Sequence, residues 1–101
     1  VKTGIQNYSS DSPDSYFLNQ NYPNPFNPST TISYSIPGKE FVSVKIYDVT
    51  GKEIVSLVNK LQEAGNHYIN FNGVNLESGI YFYTLIADGA IIKTRKMIFL
   101  K

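Results

Sequence analysis

Apolar and polar positions alternate over most of the chain. Ile32, Tyr34 and Ile36 alternate with Thr31, Ser33 and Ser35, and the run ends at Pro37-Gly38. That period of two marks a strand with one buried and one wet face. Val42, Val44 and Ile46 alternate with Ser43, Lys45 and Tyr47, then stop at Asp48-Val49-Thr50-Gly51. Gly51 can take the left-handed backbone of a short hairpin loop there. Lys52 to Val58 returns as a strand rich in β-branched residues. A helix over residues 53–63 competes, because Ile54, Leu57, Val58 and Leu61 also fit helical spacing. The weak helix preference of Ile, Val and Ser and the hairpin glycine favour the strand. After the turn Ala64-Gly65-Asn66, His67, Ile69 and Phe71 share one face and Tyr68, Asn70 and Asn72 the other. Gly79 opens Ile80–Ala87, which is apolar on both faces and therefore reads as a central strand. Asp88-Gly89 signals a tight hairpin before the closing run from Ala90. With a short edge strand at Ser15–Gln20, the pattern predicts seven strands: 15–20, 31–36, 41–48, 52–59, 67–72, 79–87 and 91–100. Short strands at this spacing point to an all-β antiparallel sandwich.

One stretch breaks the alternation. Tyr22-Pro23-Asn24-Pro25-Phe26-Asn27-Pro28 holds three of the chain's five prolines. Proline has no N–H to give a ladder, and it pushes the preceding residue out of helical geometry. The segment is expected to be a stiff, polyproline-like arm, with Tyr22 and Phe26 packed down onto the sandwich. Asn27-Pro28-Ser29-Thr30 fits a type I turn with Pro at its second position. Phe26 is expected to be mostly buried. Leu76-Glu77-Ser78-Gly79-Ile80-Tyr81 resembles the tyrosine corner of immunoglobulin-like sandwiches, in which a phenol ties back to the preceding loop. Tyr81 as an ordinary core residue is the alternative.

Composition narrows the function. Nine Lys+Arg against eight Asp+Glu leave a formal charge of +1, which gives no electrostatic reason to expect nucleic acid as a partner. No apolar run is long enough for a transmembrane helix, so membrane insertion is not expected. Without cysteine there is neither a disulfide nor a thiol nucleophile. His67 is the single histidine; with no nucleophile-elbow motif it reads as a partly exposed strand-end residue. The scattered acids form no calcium loop, and neither a metal site nor a cofactor is expected. Lys93, Arg95 and Lys96 read as charges that protect an edge strand from aggregation. Tyr47, Tyr68, Tyr81, Phe82 and Tyr83 could include a row of exposed rings for sugar stacking, although core packing accounts for most of them. Residues 1–14, rich in Ser, Asp and Asn, read as the end of a linker, with Ile5 and Tyr8 as weak anchors and a sequon at Asn7-Tyr8-Ser9. A start at Val1 without Met suggests a piece of a longer protein.

Four motifs carry a resemblance. Tyr22–Ile32, then Val44-Lys45-Ile46-Tyr47-Asp48-Val49-Thr50-Gly51-Lys52-Glu53-Ile54, then Leu76–Leu85, and last Lys96-Met97-Ile98-Phe99-Leu100-Lys101 resemble, in this order, the C-terminal sorting domain of the type IX (Por) secretion system. The likeness runs from about residue 16 to 101, and it implies that residues 1–14 are the linker from an upstream cargo domain. It implies an immunoglobulin-like sandwich at the end of secreted proteins of Bacteroidetes and relatives. Such a domain is a non-enzymatic address label, read by the outer-membrane translocon after passage through the periplasm. It is often removed by a cell-surface, sortase-like protease. By position, Tyr22, Pro23, Asn24, Pro25, Phe26, Asn27, Pro28, Asp48, Gly51, Gly79 and Tyr81 would be signature or structural residues. Lys96, Met97, Ile98, Phe99, Leu100 and Lys101 would be the stretch read by the translocon. A carbohydrate-binding or spacer module of a secreted hydrolase is the rival reading. Edge strands also leave homodimerisation through sheet edges open.

Overall fold

A computed structural model describes residues 15–101; the linker reading of residues 1–14, with Ile5, Tyr8 and the sequon, lies outside them. Seven strands follow in order: β1 (Phe17–Leu18), β2 (Ser29–Ile36), β3 (Glu40–Tyr47), β4 (Glu53–Gln62), β5 (Gly65–Asn72), β6 (Gly79–Ala87) and β7 (Ala90–Phe99). They form two antiparallel sheets, ordered β1-β2-β5 and β4-β3-β6-β7. The hairpins β3–β4 and β6–β7 stay within the second sheet, while β2–β3, β4–β5 and β5–β6 cross between sheets. This is an immunoglobulin-like sandwich, as expected.

The alternation explains the packing. Leu18, Ile32, Tyr34, Ile36 and Phe71 of the first sheet meet Val42, Val44, Ile46, Tyr81, Tyr83, Leu85, Met97 and Phe99 of the second, all of them buried. β6 lies between β3 and β7, consistent with its two apolar faces.

Several boundaries differ from expectation. β1 spans two residues rather than six. Ser29 and Thr30 do not close a turn; they already belong to β2, paired with Asn72 and Phe71. Residues 53–62 are strand throughout, because Glu40–Tyr47 supplies a complete ladder partner. A local helix would forfeit that ladder. Register shifts at Val44/Lys45 and Ile46/Tyr47 place bulges in β4, the kind of irregularity that discourages edge-to-edge pairing.

The two sides of the sandwich close differently. Between the edge strands β4 and β5 lies an open cleft of about 410 Å³. His67 sits in it, half-buried, with its ring stacked on Tyr34 at 5.3 Å. The opposite side is closed by the proline segment.

Candidate functional site: the seam between the proline arm and the last strand

The segment after β1 leaves the first sheet and joins the second. Tyr22 still bridges Thr31 of β2, with N–H···O distances of 3.0 and 2.9 Å. Four residues later Phe26 forms a parallel bridge with Phe99. The Phe26 N–H donates to the Ile98 carbonyl at 3.0 Å, and the Leu100 N–H donates to the Phe26 carbonyl at 3.1 Å. Side chains continue the seam. Arg95 Nε donates to the Leu18 carbonyl at 2.7 Å, Gln20 Nε2 to the Lys96 carbonyl at 2.7 Å, and the Ile98 N–H to Asn24 Oδ1 at 2.9 Å. The arm therefore occupies the outer edge of β7 from about Arg95 to Leu100. The unpaired backbone groups an edge strand would offer are satisfied there by the chain itself. Arg95 is thus spent on a carbonyl; it is not a free charge guarding an open edge.

Phe26 anchors the seam. It is 2% exposed, edge-on to Phe71 at 6.1 Å and tilted on Phe99 at 5.0 Å. Gly73 leaves room for it, since a methyl group at that position would lie 3.1 Å from Phe26 Cε2. Tyr22 differs from expectation. It is 81% exposed, held by its backbone alone while its ring projects into solvent. The arm is not a straight polyproline stretch either, because the chain bends at residues 23–25 and 27–28. Pro23, Asn24, Pro25, Asn27 and Pro28 are exposed.

A polar knot ties the start of the arm to the core. The Tyr83 phenol donates to the Asn19 carbonyl at 2.6 Å and accepts from the Asn21 N–H at 2.7 Å. Burial pushes this phenol's pKa up, partly offset by the Asn21 bond and the Arg95 charge. Asn21 is itself buried; its amide reaches Thr30 Oγ1 at 3.0 Å, and Thr30 donates to the Pro23 carbonyl at 2.8 Å. Asn21 and Gly73 had no signal of their own in the sequence, and Tyr83 stood out only as one ring of a stacking row. Their importance comes from partners 9 to 64 residues away, which alternation does not reveal.

The seam divides the terminal stretch into two roles. Met97 and Phe99 are buried in the core and Ile98 is half-buried, whereas Lys96, Leu100 and Lys101 are exposed. Leu100 and Lys101 line a notch of about 370 Å³ with Pro23, Pro25, Phe26 and Asn27. The Lys101 N–H donates to Ser78 Oγ at 2.8 Å.

The remaining signature residues lie near this end, at the β3–β4 hairpin and the start of β6. Asp48 Oδ1 accepts from Thr50 N–H, Thr50 Oγ1 and Lys52 N–H at 2.8, 2.6 and 3.1 Å, closing the β3–β4 hairpin. These donors, the Thr50 hydroxyl first, hold its carboxyl below the usual aspartate range. Gly51 has φ +88°, which hinders any side chain. Gly79 opens β6 at φ +154°. Tyr81 is buried, and its phenol donates to the Glu77 carbonyl at 2.7 Å, the tie-back of a tyrosine corner. The anticipated row of exposed rings does not form. Tyr81 and Tyr83 point into the core, Tyr47 and Phe82 pair on the outer face of the second sheet, and Tyr68 stands on the first. Among the described residues, no three His, Asp or Glu side chains come together.

A family model described as a secretion-system C-terminal sorting domain matches residues 20–100. No curated protein and no solved structure matches the chain.

Proposed function

The chain belongs to the C-terminal sorting domains of the type IX (Por) secretion system, and from that premise we propose that it is a non-enzymatic export label whose readable surface is the seam between arm and last strand. Membership in the family implies export through the secretion system, to the cell surface or beyond, of a cargo joined upstream. The finer steps belong to the proposal: docking on the outer-membrane translocon, then removal by a cell-surface, sortase-like protease.

One observation carries the proposal. The first and last of the four motifs, some seventy residues apart in sequence, are bonded edge to edge, and their exposed members share one notch. Pro23, Pro25, Asn27, Leu100 and Lys101 form that tip, with Lys96 farther along the same strand. Ser15 leaves from the opposite end of the sandwich, beside Phe17 paired with Ser35 and Tyr16 bonded to Glu40 at 2.5 Å. The chain upstream of Ser15 therefore enters at the end away from the tip.

The test replaces exposed residues only. Lys96→Glu, Leu100→Ala and Lys101→Glu, combined on a fused reporter, are expected to retain it in the periplasm while its melting temperature stays near that of the parent. Normal arrival of this fusion in the medium would show that the translocon reads another surface.

A further inference from the structure

The three strands of the first sheet contain no Lys, Arg, Asp or Glu at all. Among the described residues, every Lys, Arg, Asp and Glu lies outside these strands. Its outer face comprises three rows. Phe17, Asn19 and Tyr22 come from β1 and its continuation; Ser29, Thr31, Ser33 and Ser35 come from β2; Asn66, Tyr68, Asn70 and Asn72 come from β5. The register aligns them across the sheet: Phe17–Ser35–Asn66, Asn19–Ser33–Tyr68 and Tyr22–Thr31–Asn70. Three rings stand out from this polar field, with Phe17 54%, Tyr68 73% and Tyr22 81% exposed. The outer face of the second sheet differs, since it carries Lys45, Glu53 and Lys96, the first two joined at 3.4 Å.

We propose that the outer face of the β1-β2-β5 sheet binds an extended, uncharged polysaccharide, independently of the export reading. The C–H faces of a sugar ring lie well on Tyr and Phe rings, and the sugar hydroxyls exchange hydrogen bonds with amides and hydroxyls. All those groups are present here, and no charged residue of these strands would attract or repel a charged polymer. The polar groups are also held in place. Thr31 Oγ1 donates to Asn70 Oδ1 at 3.0 Å, Ser35 Oγ to Asn66 Oδ1 at 2.6 Å, and Asn19 Nδ2 to Ser33 Oγ at 2.9 Å. Asn66 and Asn70 are thereby left to donate outward from their NH2 groups. Spacing sets the size of the ligand. The strand partners of Phe17 and Tyr22 are four residues apart, so the rings are roughly 13 Å apart along the strand, with Tyr68 about 10 Å to the side. A single sugar cannot touch two of them; a chain or a polysaccharide surface can.

The test uses the 101-residue chain on cellulose and chitin, and in gels cast with a neutral soluble β-glucan or with alginate. Retention by at least one neutral polymer, unchanged by high salt, is expected. The double variant Tyr22→Ala/Tyr68→Ala should bind about tenfold more weakly. Both rings are exposed, so its circular dichroism and melting should match the parent. Ile91→Ala, exposed on the other sheet, should leave binding unaffected. Absence of retention on every neutral polymer would overturn the proposal, as would full binding by the double variant. Salt-sensitive retention on alginate alone would overturn it too. So would a dimer in light scattering that the same two substitutions disperse, since the face would then be a contact between copies.

Discussion

Phe26 sits between Phe71 and Phe99, over a glycine where a methyl group would crowd its ring. It belongs to no strand, yet it is as buried as the central residues of β6. Phe26→Ala is expected to cost about 3–5 kcal/mol, the range for deleting a core aromatic. Urea unfolding measures it, and a loss below about 1 kcal/mol would show the arm lying loose on the surface. The burial of Phe26 was legible in the sequence, because an aromatic among prolines has few other uses. Tyr22 was not. Its ring and that of Phe26 look alike in composition, but Tyr22 faces Thr31 on the wet side of β2 while Phe26 lies over the core. That difference is fixed by the bends of the arm, which no periodicity records.

At the level of elements, the alternation of Ile32–Ile36, Val42–Ile46 and His67–Phe71 placed β2, β3 and β5 nearly correctly, because each has one dry face. The edge strands β1 and β4 were harder. β1 shrank to two residues and β4 grew to ten, since edge strands are bounded by what their neighbours offer rather than by their own pattern. The β3–β4 hairpin carries a pH signature. Its Asp48 carboxyl has a folded pKa below the ordinary value of 3.8. The stabilisation it provides is therefore complete above that ordinary value and is lost as pH falls through the folded one. Urea midpoints taken from neutral down to about pH 2 should fall more steeply for the parent than for Asp48→Asn, which starts lower at neutral pH. Parallel curves would mean that the three donors around Asp48 do not favour its charged form.

Across the whole molecule, all-β class and two-sheet architecture follow from strand count and spacing alone. What escaped the sequence was the closure: one side of the sandwich is open between β4 and β5, and the other is sealed by the arm on β7. A chain ending at Arg95 loses Met97 and Phe99, both fully buried, together with the bridge to Phe26. Two such losses at about 2–5 kcal/mol each rival the 5–15 kcal/mol that typically holds a domain together. The truncated chain is expected to show no cooperative thermal transition, whereas the surface variants at residues 96, 100 and 101 should melt like the parent. A sharp transition in the truncated chain would separate the seam from the integrity of the fold. The seam also orders events in time. The arm is among the first described segments to be synthesised, and its partners at residues 95–100 come about seventy residues later. Until they emerge, Phe26 has no partner strand and the notch does not exist. A product terminated before Arg95 therefore lacks both the bridge to Phe26 and the notch.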